Sequence, residues 1–180
     1  VQPSQPSVEV DELPEEHHVV LLRPSGADDL IVLVDEPPHL ADQRLRPSPE
    51  DIAWTRAALL DLLRIRSSST LFRLRSAADI EQRLRFLNVG PDQVPEVIAA
   101  HLQGEGYPGA GFREILYLVN VDLEAHTLQF DVERGKRYVL HPVHRAPGAA
   151  DRKAAEQARY TAETGSFTVP ARTVVVFVVE

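Results

Sequence analysis

The second half of the chain is a series of short β-type runs separated by turn-forming residues. Apolar and polar residues alternate at 84–86 and 98–102, and 115–121 is almost continuously apolar. Further runs of this type lie at 127–132, 137–141, 159–161, 166–169 and 172–179. Clusters of glycine, proline, asparagine or charged residues separate them, as antiparallel connections require. The pattern predicts a mainly β fold, an antiparallel β-sandwich of about eight strands.

One long helix is predicted before these strands. Ser48 can cap it, Pro49 suits the first helical position, and Glu50 and Asp51 lie at the positive end of the helix dipole. Apolar residues then recur at helical spacing, which predicts a helix at 49–66. Its broad apolar face is a candidate interface and is formed by Ile52, Trp54, Leu59, Leu62 and Leu63.

The ends of this helix and of the next are marked by serines. We expect the serines at 67–69 to end the long helix and to bond its last carbonyl groups. No Gly-x-Ser-x-Gly elbow surrounds them, which argues against a hydrolase nucleophile. Ser76 followed by Asp79 resembles a capping box and predicts one or two helical turns at 77–82.

The first 46 residues differ in composition from the rest of the chain. Residues 1–16 are rich in proline, serine and acids and are predicted to be a flexible tail. Two apolar runs, 18–22 and 30–34, flank a cluster of turn formers, which predicts a β-hairpin and linker at 17–46. Residues 47–180 are then expected to form one domain of helix plus sandwich.

Charge and cysteine content exclude several functional classes. The net charge of −8 argues against nucleic acid or an anionic membrane as the main partner. No apolar run approaches the ~20 residues of a spanning helix. The absence of cysteine removes thiol nucleophiles, disulfides and zinc ribbons, and no cofactor motif is present. The compartment stays open, with a slight preference for a secreted protein.

Pairs of carboxylates could serve glycoside hydrolysis if they faced each other across a cleft. The candidate pairs are Asp35 with Glu36, Asp122 with Glu124, and Asp131 with Glu133. All of them are predicted at strand ends or in turns, where solvated acids are common. We therefore assign no catalytic residue.

Two pairs of histidines, His17 with His18 and His141 with His144, are candidate metal ligands. Adjacent residues and residues three apart at a strand end point to opposite sides, so neither spacing favours a metal site. We therefore assign no metal ligand.

The glycine-rich stretch 104–111 precedes a strand, whereas a phosphate cradle precedes a helix. It is interpreted as a mobile loop between two strands. Tyr107 in this loop is a possible sugar contact, because an exposed aromatic ring can stack on a pyranose.

Several blocks of sequence resemble one known family in order and spacing. They are LRIRSSSTLFRL at 63–74, LRFLN at 84–88, GPDQ at 90–93, LHPV at 140–143 and GSFTVPARTVVVF at 165–177. Together they resemble the C-terminal domain of pullulanase-type α-1,6-glucosidases of glycoside hydrolase family 13, over about residues 49–180. Thr70 stands where family members carry proline, which we expect to loosen the turn after the helix slightly.

The resemblance implies a non-catalytic accessory domain related to starch- and pullulan-debranching enzymes. The catalytic barrel of that family takes about 250 residues, and none of its catalytic positions has a counterpart here. A stand-alone α-glucan-binding module and a subunit that pairs with a barrel-bearing chain are the alternatives.

The helix 49–66 would pack against the barrel in a full enzyme, so here its apolar face needs another cover. We expect the N-terminal hairpin to provide it, with a homodimer as the second choice. Deletion of residues 1–40 should then give an aggregating or dimeric protein, whereas a soluble and equally stable monomer would contradict the hairpin cover.

Overall fold

A computed structural model describes residues 18–20, 33–35 and 45–180, and the chain divides into two units, Val1–Ser48 and Pro49–Glu180. In the first unit, strand β1 (His18–Val20) pairs antiparallel with β2 (Leu33–Asp35). Both strands overlap the runs expected for the hairpin, 18–22 and 30–34. The predicted tail at 1–16 and most of the linker lie outside the described residues.

The second unit begins with the long helix α1 (Pro49–Ser68), which runs two residues further than predicted. A 3₁₀ turn (Thr70–Arg73) and the short helix α2 (Ala77–Arg83) follow. Two more short helices, α3 (Pro142–Arg145) and α4 (Arg152–Gln157), lie between strands near the end of the chain. No helix in the described ranges combines the length and hydropathy needed to cross a bilayer.

Eight strands of the second unit form two antiparallel sheets. The strands are β3 (Leu84–Phe86), β4 (Val97–Gln103), β5 (Glu114–Asn120), β6 (His126–Gln129), β7 (Val139–Leu140), β8 (Arg159–Thr161), β9 (Ser166–Val169) and β10 (Thr173–Val179). One sheet has the order β3-β4-β5-β10-β7 and the other β6-β9-β8. The predicted mainly β, antiparallel architecture with a preceding helix is confirmed.

The two sheets pack around one hydrophobic core. Alternate residues of the central strands point into it, because successive strand residues face opposite sides of the sheet. They meet Leu128 of β6, Phe167 and Val169 of β9, and Ala154 of α4. The central-strand residues are Val97, Ala99, Leu116, Leu118, Val175 and Phe177.

The other face of the five-stranded sheet is also apolar and forms a second cluster. It consists of Leu102, Ile115, Val176 and Val178 of the strands with Ile65 of α1, Leu71 of the 3₁₀ turn and Ala110. Thus α1 and the 3₁₀ turn form a third layer over the sandwich.

Two of the predicted strands are shorter in the structure by two or more residues. The run 127–132 is β-structure only to Gln129, because residues 131–133 form a 3₁₀ turn that buries Glu133. The run 137–141 shrinks to Val139–Leu140, because Pro142 begins α3 and His141 caps it. Helix α4, capped by Asp151, is a feature that the apolar pattern did not indicate.

Candidate functional site

Helix α1 is fixed to the domain near its C-terminal end and by two side chains further back. Asp61 accepts a hydrogen bond from the Ala150 amide at 2.9 Å and another from Arg64 at 2.7 Å. The Trp54 indole N–H donates to the Ala150 carbonyl at 3.1 Å. Ile65 is buried in the second cluster. These contacts set the direction in which the remainder of the helix projects.

The rest of the predicted apolar face is left open by this attachment. Ile52, Leu59 and Leu63 are 57%, 55% and 49% exposed, and their spacing of seven and four residues places them on one side of the helix. We call these three residues the α1 ridge. Trp54, beside the ridge, is 50% exposed. Of the five residues predicted for the apolar face, only Leu62 is largely covered, because it packs against the second cluster. Whether the N-terminal hairpin covers the ridge stays a prediction.

Two of the three serines at 67–69 bond carbonyls of the last turn of α1, as predicted, although Ser67 and Ser68 lie within the helix rather than after it. The hydroxyl of Ser67 donates to the Arg64 carbonyl at 2.9 Å, and that of Ser68 donates to the Ile65 carbonyl at 2.7 Å. Ser69 caps the following 3₁₀ turn by accepting the Leu71 amide at 3.1 Å. Its own hydroxyl donates to the Ala110 carbonyl in the glycine-rich loop.

The glycine-rich loop between β4 and β5 is tied to the 3₁₀ turn. The Thr70 amide donates to the Gly109 carbonyl at 3.1 Å, and the Thr70 hydroxyl donates to the Pro108 carbonyl at 2.7 Å. A proline at position 70 could make neither bond. Gly109 has a φ of +72°, and a Cβ there would lie 2.9 Å from Thr70. The loop that the sequence suggested to be mobile is therefore held at its tip.

Tyr107, the possible sugar contact, is half-buried in this loop. The Arg83 guanidinium lies 4.7 Å from the ring centroid and covers one face. The ring also lines a groove of 530 Å³ with Arg66, Thr70, Arg73, Arg75 and Pro108. The sequence placed Tyr107 in a loop but gave no sign that three arginines gather beside it.

A buried charged cluster, which sequence reasoning missed, joins β4, β5 and the segment before β7. The Lys136 ammonium lies 2.6 Å from Glu114 and 2.7 Å from the buried Glu133. The Tyr138 hydroxyl lies 2.8 Å from Glu133 and 3.0 Å from Glu114. His101 Nε2 lies 3.0 Å from Glu114.

The pKa values in the cluster follow from these contacts. Burial raises the pKa of Glu114, but the hydrogen bonds from Lys136, His101 and Tyr138 outweigh it, so the pKa lies below its usual range. Burial, followed by the Glu133 carboxylate, raises the pKa of the Tyr138 hydroxyl. Burial lowers the pKa of Lys136, but its two carboxylate partners raise it above the usual value.

Three residues of this cluster have the donor types of a metal site. Ligand-type atoms of His101, Glu114 and Glu133 lie within 4.8 Å of one another. The Lys136 ammonium, however, bonds to both carboxylates and supplies the positive charge that an ion would bring. The arrangement is that of a structural ion-pair network.

His141 and His144 do not point to opposite sides, as their spacing suggested. Because His141 caps a helix rather than ending a strand, their rings lie edge to face with centroids 6.5 Å apart. His141 Nδ1 accepts the Val143 amide at 3.2 Å, and its Nε2 lies 3.0 Å from the Ser68 hydroxyl. His144 Nε2 accepts the Val176 amide at 3.2 Å. Their nitrogens thus serve as internal hydrogen-bond partners.

Both of these histidines are held neutral by their surroundings. Burial, followed by the electrostatic influence of the neighbouring His144 and Arg145, lowers the pKa of His141 to about 4. Burial also lowers the pKa of His144 and outweighs the attraction of Asp151 and Asp61.

Three carboxylates of the candidate pairs are engaged in local contacts. Asp122 bonds to His126 at 2.8 Å, which with the Leu123 amide lowers the pKa of Asp122. Asp131 accepts a bond from Gln129 at 3.1 Å, whereas its proposed partner Glu133 is buried against Lys136. Asp35 lies in β2, and Glu36 lies outside the described residues, as does His17 of the first histidine pair.

Comparison with known proteins shows one family. Residues 36–180 match the model described as alpha-1,6-glucosidases, pullulanase-type, C-terminal. The chain is 36% identical over 148 residues to chloroplastic pullulanase 1 of Arabidopsis thaliana, a match that covers 78% of this chain and 15% of that protein.

Solved structures agree with this match. The maltotriose complex of PulA from Klebsiella pneumoniae is similar, with a TM-score of 0.63 and 28% identity over 74% of this chain and 14% of that one. PulA from Klebsiella oxytoca shares the fold, with a TM-score of 0.62 and 22% identity over 74% of this chain and 12% of its own. The chain therefore spans 15% or less of the length of each relative.

Proposed function

The chain belongs to the family of C-terminal domains of pullulanase-type alpha-1,6-glucosidases, and on that premise we propose that it is a non-catalytic accessory β-sandwich domain. Its role is to pack against the catalytic barrel of an α-1,6-glucosidase and to stabilise it. The barrel is carried either by the same polypeptide or by a separate chain. The α1 ridge is the observation that carries this proposal.

The ridge has the properties of an unfilled interface. Ile52, Leu59 and Leu63 are large apolar residues on one side of a helix whose other contacts with the domain are already made. Complete burial of such a side chain is worth roughly 1.5–3 kcal/mol, so half-exposed residues retain a substantial part of that gain for a partner. Contiguous apolar surface of this kind marks interaction sites.

The state of the carboxylates supports a non-catalytic role. Retaining or inverting glycoside hydrolysis needs two carboxyl groups that face a sugar across about 5–10 Å. Among the described residues, Asp122, Asp131 and Glu133 of the pairs that the sequence offered are bonded to His126, Gln129 and Lys136, respectively. These contacts orient the three carboxylates toward their own neighbours rather than toward a shared cleft.

Co-expression tests the proposal. A pullulanase-type polypeptide that ends before the segment equivalent to α1 is co-expressed with this 180-residue chain. We expect a 1:1 complex that hydrolyses pullulan, and no release of reducing sugar by the 180-residue chain alone. Two folded proteins that do not associate would contradict the docking role, and pullulan hydrolysis by the chain alone would contradict the non-catalytic role.

Variants of the ridge make the test specific. Leu59→Gln together with Leu63→Gln should weaken the complex more than tenfold, because two apolar contacts are lost. The matched control is Val132→Gln together with Leu123→Gln, which changes two exposed apolar residues outside α1. Equal weakening by both pairs would contradict docking through α1.

A further inference from the structure

A groove beside the glycine-rich loop is lined by arginines and one aromatic ring. It has a volume of 530 Å³, which is within the range of small-molecule sites. Its walls come from the end of α1, the 3₁₀ turn and the β4–β5 loop. The lining residues are Arg66, Thr70, Arg73, Arg75, Tyr107 and Pro108, and none of them is acidic.

The three arginines lie on one groove, and no acid lines it to compensate their charges. The side chains of Arg66, Arg73 and Arg75 make no hydrogen bond or ion pair within the described part of the chain. Some other arginines are paired, as Arg64 is with Asp61 at 2.7 Å, and some, such as Arg137, are not. What distinguishes these three is that they line the same groove. The chain carries more acidic than basic residues, with a net charge of −8, yet no acidic residue lines this groove. The groove is therefore a local site of positive potential.

The walls of the groove are held in place before any ligand arrives. The two bonds from Thr70 to the Pro108 and Gly109 carbonyls fix the loop against the 3₁₀ turn. Behind the ring of Tyr107, the Arg83 guanidinium donates to the Gln103 and Glu105 carbonyls at 3.2 and 3.0 Å. The loop backbone therefore loses little conformational entropy when a ligand binds.

We propose that this groove binds a sugar phosphate, with the phosphoryl group on the arginines and the sugar ring against Tyr107. Guanidinium groups present planar pairs of N–H donors that match phosphate oxygens. The tyrosine ring offers an apolar surface with a polar tip for a sugar ring. A neutral sugar leaves three positive charges uncompensated, and free phosphate makes no use of Tyr107. The proposal does not depend on the docking of α1.

Isothermal titration calorimetry of the 180-residue chain tests the ligand class. The probes are glucose 6-phosphate, inorganic phosphate and glucose, compared at one ionic strength because the attraction is screened by salt. We expect glucose 6-phosphate to bind at least about tenfold more tightly than phosphate, and glucose to give no measurable heat.

Substitutions locate the site and separate its two parts. The double variant Arg73→Gln/Arg75→Gln should lower the affinity for both anionic ligands about tenfold or more. Each lost guanidinium removes a charge-assisted bond. Tyr107→Leu should lower the affinity for glucose 6-phosphate to that for inorganic phosphate, and should leave the affinity for phosphate unchanged. The control Arg137→Gln changes another exposed arginine that lies outside the groove and should alter neither affinity.

Four outcomes would overturn the proposal. They are no heat with any probe, equal affinity for phosphate and glucose 6-phosphate, equal affinity for glucose and glucose 6-phosphate, and equal losses in the Arg73/Arg75 variant and the Arg137 control. Circular dichroism of each variant shows that the fold is kept, which the exposure of all three substituted arginines favours.

Discussion

The two faces of the five-stranded sheet are both apolar, but the domain seals only one of them. On one face, the three-stranded sheet and α4 cover the central strands and leave Phe167 fully buried among aromatic rings. On the other, α1 and the 3₁₀ turn contribute Ile65 and Leu71 but leave an open apolar cavity of 480 Å³. The first face is fully buried in the core, whereas the second is only partly covered.

The difference arises from the sequence of the central strands. In β10, Val175 and Phe177 face the sandwich, while Val176 and Val178 face α1. A strand that is apolar on both sides needs two covering layers. Residues 49–180 build one complete layer and part of a second. Under the proposed function, the barrel supplies the rest of the second layer.

Truncation of the sealed core should have the largest effect. Phe167→Ala removes a fully buried ring that packs against Tyr138, Tyr160 and Phe177. The free energy of unfolding, measured with urea, should fall by about 4 kcal/mol. The control Phe86→Ala changes a half-exposed ring of β3 and should cost less than about 1.5 kcal/mol. Similar losses for the two variants would contradict the picture of one sealed core.

Removal of the ammonium from the charged cluster should rank second. Lys136→Met leaves the buried Glu133 and the half-buried Glu114 without a counter-ion, which should cost about 3 kcal/mol. Lys136→Met with Glu133→Gln should recover part of that loss, because the buried charge is then removed as well. Urea unfolding gives the stability of each variant. Equal stability of the single and double variants would show that the buried Glu133 carboxylate does not need the Lys136 charge.

Acid should weaken the contact between α1 and α3. The pKa of His141 is about 4 in the folded chain and about 6.5 when unfolded, so folding favours its neutral form. The contribution of neutral His141 to the free energy of unfolding is complete above pH 6.5 and is lost as the pH falls toward 4.

The size of this acid effect can be measured by comparing the stability of the original chain with that of the variant His141→Asn. Asparagine keeps an acceptor for the Val143 amide. The stability advantage of the original chain over this variant should shrink by on the order of 2 kcal/mol between pH 7 and 4. Urea unfolding at each pH gives the two curves. Parallel curves would exclude a role for His141.

Substitution on the open side should have the smallest effect. Leu59→Gln changes a residue of the α1 ridge that is 55% exposed, so the free energy of unfolding of the 180-residue chain should change by less than about 0.5 kcal/mol. A loss of 2 kcal/mol or more would mean that the ridge is covered within the chain, as the hairpin hypothesis predicts.

The sequence predicted the parts of the fold that depend on local patterns. Strands β8 and β9 have the predicted ends, because turn residues flank short apolar runs at both places. Helix α1 was predicted from its cap and its apolar spacing, and it runs on because Ser67 and Ser68 bond to the preceding turn. The block resemblance identified the family without any tertiary information.

Features that depend on distant partners could not be read in this way. Glu114 and Lys136 are 22 residues apart and show no spacing signal, so the charged cluster was missed. The same is true of the groove, since Arg66 and Tyr107 come together only because Thr70 bonds to the β4–β5 loop. His141 was expected to end a strand, and its capping role depends on Pro142 and on the neighbouring Ser68.

Hydrogen–deuterium exchange of the 180-residue chain tests most directly whether one side of the molecule is sealed and the other open. Amides of β5 and β10 should exchange only by global unfolding, because their strands are paired on both sides within the sheet. Amides at 53–60 of α1 should exchange orders of magnitude faster through local opening, and should slow when the barrel polypeptide is bound. Protection at 53–60 equal to that of β5 in the free chain would contradict the account.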